Sequence, residues 1–445
     1  MRRGLVLGFG LLGCAPSAPP PEGQLVIHVT TDAPLPAAPG QPARAVPALF
    51  DRLELALFEP GAVAPCEGCR REVAVDHDLV DAGRASFGSV APPGQGGYPL
   101  RVRLYRNAGT IAGTPRPAST LEKLVELPAV RAGEVDHVTV TLLTEHVGQP
   151  PGAPVAAVPG RPPAGLVGSF AGAARVGCAS APPMGMACVP GGAFWMGDPT
   201  LDTTDSSEYD GRLERLVVLS PFFVDGSEVT VAAFRKSGLA SSLVPGGPSD
   251  NPHVPGPGFE QCRYTELPGA FEDHPVNCLS WHKAQAYCEL LGGTLPSEAQ
   301  LEYLQSGLGR APFVWGTEAP ACEDAVFDRE PSEACAAQGS GPAAVGSGAR
   351  DRLALGSATV VDLAGNLSEW AFDQWNRETE PCWGTGVFQD PRCETPSTLD
   401  PPARVMRGGG WHTSPPLMRA ALRARLVNET HAVSHAVGFR CVRQP

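Results

Sequence analysis

The sequence predicts a multidomain chain: an N-terminal all-β sandwich, a Pro/Gly-rich linker, and a loop-rich C-terminal domain with few helices. Three observations predict it. The chain has 445 residues, too many for one core when domains average roughly 150 residues. Short apolar runs in period-two alternation fill its first third, the pattern of strands with one buried face. Gly 52 and Pro 48 punctuate the whole chain, favouring turns and short strands over long helices. Hydrophobic residues at 42% supply real cores, and charged residues at 18% are too few for a disordered chain. Lys and Arg number 34 against 47 Asp and Glu, and the resulting net charge of -13 disfavours a nucleic-acid partner.

The N-terminus places Met1, Arg2 and Arg3 before the apolar stretch Gly4 to Gly13, too short to span a membrane and shaped like a secretory signal. Its ending, Leu11-Leu12-Gly13-Cys14, resembles the bacterial lipobox, in which cleavage exposes the cysteine for acylation. Residues 1–13 are therefore expected to be a lipoprotein signal peptide and Cys14 the lipid attachment site. Residues 14–23, rich in proline, read as a tether without packing capacity. Several acyl chains on Cys14 would anchor the protein to the bilayer of a bacterial membrane, the outer membrane in the first instance, on its periplasmic or surface face. Of 13 cysteines, 12 remain once Cys14 is set aside, an even number suited to disulfides in an oxidising compartment. Cys178 and Cys188, Cys262 and Cys278, Cys322 and Cys335, and Cys382 and Cys393 are sequence neighbours across presumed loops. Cys66 and Cys69 read as a loop disulfide in preference to a redox or half-zinc motif, having no second CxxC and no helix to open.

Residues 24–147 form the expected sandwich, immunoglobulin-like in type. Its strands are Leu25–Thr30, Leu53–Phe58, Leu100–Tyr105 and Val135–Leu143, whose apolar faces need a second sheet. His28, His77 and His137 each stand alone there and read as ordinary surface or core histidines. Residues 148–170, dominated by Pro, Gly and Ala, read as a semi-extended linker that buries too little to fold. From residue 171 to 445 only two stretches carry a helical period, Trp281–Leu291 and Glu298–Leu308. Ser280 and Ser297 stand where N-caps belong, and Gly292-Gly293 is a plausible stop.

The same region carries a series of ordered blocks. They are Val189 to Gly197 (VPGGAFWMG), Val224 to Thr230 (VDGSEVT), Ser280 to Cys288 (SWHKAQAYC), Leu295 to Tyr303 (LPSEAQLEY), Asp362 to Trp370 (DLAGNLSEW), Arg407 to Trp411 (RGGGW) and Gly438 to Cys441 (GFRC). In this order they resemble the sulfatase-modifying factor family, whose founding members are formylglycine-generating enzymes. The resemblance implies an α+β, loop-rich fold related to C-type lectins. It also implies a test. Active members hold copper with two cysteines after the Arg-Gly-Gly block, and soft thiolates suit Cu(I). Here the corresponding positions are Thr413 and Met418, and no cysteine stands between Cys393 and Cys441. Copper is therefore not expected, and no catalytic residue is assigned. Neither His412 with Met418 nor the His431/His435 pair makes a convincing replacement. Arg407, Trp411, His412 and Arg425 are the residues left to line the former pocket.

The resemblance further implies a structural calcium site in the AGN loop, with carboxylates from Asp362 and Glu369 and carbonyls from Gly365 and Leu367, the hard oxygen set that Ca²⁺ prefers. The plainer alternative is an acidic turn shaped by Asn366. Cys288 and Cys441 match a family disulfide, with a buried free thiol at Cys288 as the alternative, and the other ten cysteines then fit the neighbour pairs above. The expected function is a membrane-anchored, non-catalytic module that binds a peptide or another envelope protein. The alternative is a divergent enzyme of the family, or of its non-haem iron relatives, with a different metal site.

Overall fold

The structure is a computed structural model. It describes residues 7–8, 23–89, 96–201, 209–241, 261–265, 267–377, 382–396, 402–427 and 434–445. Cys14, most of its signal and tether, and His431 lie outside the described residues. The chain divides into two compact units near Ala174 and Arg175. It is β-rich, with few helices. Among the described residues no helix is long and apolar enough to cross a membrane.

The first unit contains two five-stranded sheets. One runs Leu7–Gly8, Ser86–Ser89, Gln24–Thr31, Val135–Leu142, Val158–Pro159. The other runs Val155–Ala156, Thr120–Leu127, Tyr98–Tyr105, Arg52–Phe58, Pro65–Ala74. The strand Tyr98–Tyr105 buries alternate positions, Leu100, Val102 and Leu104, whereas Gln24–Thr31 buries every residue from Ile27 to Thr31. The strand at Gln24 lies between Ser86–Ser89 and the parallel strand at Val135, neither of them the next strand along the chain. Two expectations need correcting here. The segment 148–170 is not a bare linker: Val155 pairs with Val125 and Val158 with Thr139, one edge strand for each sheet. Pro is tolerated at a sheet edge, and the β-branched valines supply the strand preference that composition alone hides. Nor do His28 and His137 stand alone. They lie on neighbouring strands with Nε2 and Nδ1 2.9 Å apart.

Among the described residues the second unit is built from short sheets and three α-helices. Five strands, Tyr209–Asp210, Arg423–Val427, Ala403–Arg407, Ser368–Gln374 and Val437–Gly438, make the sheet that carries the site. Helix α1 (His77–Asp81) belongs to the first unit; α2 (Val231–Ser237), α3 (Trp281–Leu290) and α4 (Glu298–Gln305) belong to the second. The Ser280 and Ser297 side chains accept from the backbone N–H groups of Lys283 and Gln300, and Gln300 returns a bond to Ser297 in a capping box. Helix α4 stops three residues before the periodic pattern does. The Ser306 hydroxyl bonds back to the Glu302 carbonyl at 2.6 Å, and Gly307, Leu308 and Gly309 all take positive φ. Helix α2 was missed from sequence, although Thr230 caps it and Gly238, left-handed, ends it.

Six disulfides join Cys66–Cys69, Cys178–Cys188, Cys262–Cys278, Cys288–Cys441, Cys322–Cys335 and Cys382–Cys393. Cys66–Cys69 sits within the strand Pro65–Ala74 rather than in a loop, beside a register shift opposite Ala56 and Phe58. Cys288–Cys441 ties α3 to the end of the chain across 153 residues, inside the core cluster of Phe234, Tyr287, Trp370 and Phe439.

Candidate functional site

Two loops define the site: Asp362–Glu369, which leads into the strand Ser368–Gln374, and Arg407–Thr413, which follows the strand Ala403–Arg407. They are sewn together through backbone. Gly409 N–H donates to the Ala364 carbonyl at 2.9 Å and Trp411 N–H to the Asn366 carbonyl at 2.7 Å. The glycine at 409 is needed there, since a Cβ would meet the Ala364 oxygen at 2.6 Å and Met418 Cγ at 2.8 Å.

Arg440, from the GFRC block, occupies the centre of the first loop. It is wholly buried, and its Nε and Nη2 reach both oxygens of Glu369 at 2.6–2.8 Å. Nη2 also donates to the carbonyls of Asp362 (2.6 Å) and Val361 (2.9 Å). The Asp362 carboxylate accepts from Gly346 N–H at 2.6 Å. Gly365 and Leu367 contribute their N–H groups, to Asp351 and Glu228 respectively. The expected calcium set is thus brought together, with Asp362, Glu369, Glu228 and Asp351 gathered around one guanidinium. The guanidinium supplies the positive charge, and Glu369 has both oxygens taken by it. Among the described residues no group of three or more His, Cys, Asp or Glu is arranged to hold a metal. Burial works against charge on Arg440, but Glu369, then Glu228 and Asp362, outweigh it and hold the guanidinium protonated. Burial, then Asp362 and Glu369, push the Glu228 carboxyl well up; burial, then Asp351, do the same to Asp362.

Sequence reasoning missed Asp351 and Glu228. Asp351 accepts the successive N–H groups of Leu363, Ala364 and Gly365 at 2.9–3.0 Å, and Glu228 accepts from Asn366 Nδ2 and Leu367 N–H. The only available signal for Glu228 was its place in the VDGSEVT block, and Asp351 carried none.

The two positions at which the resemblance expects copper cysteines are Thr413, at the end of the second loop, and Met418, in the turn Pro415–Met418 that follows it. The Thr413 hydroxyl accepts from Gly410 N–H at 2.8 Å, closing a turn in which Thr413 N–H returns to the Gly410 carbonyl. Met418 is 1% exposed and packs with Phe313, Ala325, Phe327, Cys335 and Ala364. Neither residue presents a thiolate, and their surroundings are a backbone turn and an apolar cluster. The site does not fit Cu(I). His412 and Met418 form no soft pair either, because His412 is exposed and lies against Trp411 and His435, with ring centroids 5.4 and 6.0 Å away. Desolvation, then His435, hold the His412 imidazole below its ordinary 6.5.

The other pocket candidates divide. Trp411 is buried, with its indole N–H toward the His435 carbonyl at 3.4 Å. Arg407 is not a pocket residue at all. At 1% exposure it donates to Glu298 Oε1 (2.7 Å) and the Ala420 carbonyl (2.9 Å) and pairs with Glu302 (2.9 Å), while Arg423 reaches the same Glu298 Oε1 at 2.6 Å and Oε2 at 2.9 Å. This buried pair of arginines lowers the Glu298 carboxyl despite its burial; burial, against Arg407, raises Glu302 to about 7. Arg425 is half-buried on the strand Arg423–Val427, its Nε without a hydrogen-bond partner among the described residues.

A β-rich domain whose glycine loop and AGN loop interlock beside a buried arginine is the class of protein that the geometry defines. Residues 174–445, more than half the chain, match the family described as sulfatase-modifying factor enzyme 1-like domain. The chain belongs to that family. It is 28% identical over 303 residues to the formylglycine-generating enzyme of Thermomonospora curvata, covering 59% of this chain and 94% of that one. It is 27% identical over 301 residues to the formylglycine-generating enzyme of Bos taurus, covering 58% and 75%. It is 29% identical over 178 residues to the serine/threonine-protein kinase Pkn1 of Chlamydia trachomatis, covering 39% and 25%. Among solved structures it aligns with PvdO from Pseudomonas aeruginosa at 21% identity and a TM-score of 0.43, covering 60% of this chain and 96% of that one.

Proposed function

We propose that the protein is a lipid-anchored bacterial envelope protein whose sulfatase-modifying factor domain binds a peptide or an envelope partner and does not generate formylglycine. The observation that carries the reading is the fate of the two copper positions. Thr413 spends its hydroxyl on closing a turn, and Met418 is sealed in an apolar cluster. Beside these positions His412 and His435, from two separate segments, flank the buried Trp411 ring, a suitable surface for a peptide. In the same reading Cys14 carries the acyl chains. The first unit is an immunoglobulin-like spacer, the second a C-type-lectin-like binding head, and Arg440 replaces calcium as the counter-charge of the AGN loop. The six disulfides accord with an oxidising compartment. The test is a Cu(I) titration of the purified chain against a chromogenic chelator. No withdrawal of copper from the chelator supports the reading. Stoichiometric, tight uptake contradicts it and favours the divergent enzyme.

A further inference from the structure

A second cleft lies in the second unit, away from the glycine and AGN loops. It has a volume of about 310 Å³ and opens beside the start of α4, where Thr294 and Gln300 meet Arg392 and the C-terminal Arg443 and Gln444. Two arginines, Arg392 and Arg443, face the cleft. Acidic residues outnumber basic ones 47 to 34, and the buried arginines 407, 423 and 440 each hold a carboxylate. Arg443 has no acceptor among the described residues, and its buried Nε is left without a hydrogen-bond partner. Arg392 lies over the Phe372 ring at 3.5 Å, donates to the Thr294 hydroxyl at 3.3 Å, and forms no ion pair with a described carboxylate.

The acidic groups nearest the cleft are already engaged. Asp390, on its wall, accepts from the Ser220 N–H and hydroxyl, both at 2.7 Å, and from Gln389. Asp225, which feels the charge of Arg443, accepts from Cys441 N–H at 2.9 Å. Gln300 uses its side-chain oxygen in the capping box, which leaves its amide N–H₂ to donate into the cleft.

We propose that this cleft binds an oxyanion, the carboxylate, sulfate or phosphate group of a ligand, held between the forks of Arg392 and Arg443 with a further donor from Gln300, while the Thr294 hydroxyl, which donates to Gln285 at 3.2 Å, positions Arg392 as its acceptor. The argument is one of satisfaction. A buried guanidinium N–H without an acceptor is costly, and a planar fork pairs best with two oxygens of an anion. The site is independent of the copper positions and stands whether or not the domain retains catalysis.

The test is calorimetric titration of the full chain at low ionic strength with inorganic phosphate, sodium sulfate and N-acetylglycine, whose amide is the neutral control. One-to-one binding of the two tetrahedral anions marks a sulfated or phosphorylated ligand, and binding of N-acetylglycine alone marks a carboxylate. In either case Arg392→Gln with Arg443→Gln is expected to weaken the affinity by about tenfold or more. Arg131→Gln, a surface change in the other unit, is expected to leave it unaltered. A readout free of any folding defect uses the wild-type chain: the bound anion should protect Arg392 and Arg443 from phenylglyoxal, scored by peptide mass spectrometry. Absence of saturable binding by all three probes, or equal binding by the double variant, or unprotected arginines at saturating anion, would overturn the proposal.

Discussion

Arg440 grips both carboxylate oxygens of Glu369 at 2.6–2.8 Å, in the loop where family logic places a calcium ion. Both partners are buried. Removing one strands the other, which for a buried pair typically costs about 3–5 kcal/mol. Arg440→Met is therefore expected to lower the thermal midpoint sharply, and calcium or a chelator should leave the wild-type midpoint unchanged. A calcium-dependent rise in midpoint, abolished by Asp362→Asn with Glu369→Gln, would restore the ion and remove Arg440 from its role.

The disulfides should differ in what they contribute. Cys288–Cys441 closes a loop of 153 residues, against separations of 10–16 for Cys178–Cys188, Cys262–Cys278, Cys322–Cys335 and Cys382–Cys393. By loop entropy its loss costs about 5 kcal/mol, compared with about 3 for a short loop. Denaturant unfolding of Cys288→Ala with Cys441→Ala beside Cys322→Ala with Cys335→Ala checks the order. A larger loss from the short loop would refute it.

How much of this was legible in the sequence follows from distance along the chain. Ser280 and Ser297 announce α3 and α4 because a cap and the N–H it accepts lie three residues apart. The end of α4 was misplaced because Gly307, Leu308 and Gly309 keep the apolar period while taking a conformation no helix allows. The AGN loop was legible as a site, but not the partners that hold it. Its partners Glu228 and Arg440 lie 139 and 71 residues away from Leu367 and Glu369 respectively, and nothing in a local pattern pairs them. Arg407 looked like a pocket residue because it borders the glycine loop. Only the fold shows it turned inward to Glu298.

The pair His28–His137 predicts a pH effect in the first unit. Burial lowers both imidazoles below 6.5, with help from the partner ring and Arg161 at His28 and from Arg161 at His137, against the Gly83 carbonyl and Asp136 respectively. A depressed pKa contributes stability that is present above the unfolded value and lost as pH falls through the folded one. Imidazole resonances of His28 and His137 should titrate below 6.5, and the contribution of the pair should fade on acidification below that value. His137→Gln should move His28 back toward its ordinary value. Titration of either wild-type ring above 6.5 would contradict the packing described.

Anchorage is tested at Cys14. Cys14→Ala should release the protein from the membrane fraction with both units folded. A variant that still sediments with membranes after a high-salt wash would rule out the lipobox reading.

The central claim, that the domain has left formylglycine chemistry, meets its most direct test in turnover. The purified full chain, loaded with copper in air, is incubated with a cysteine-containing sulfatase peptide, and the product is read by mass spectrometry. The account predicts no conversion above a no-enzyme control, because Thr413 holds a turn and Met418 is buried where two thiolates would have to stand. Formylglycine above that control would contradict it.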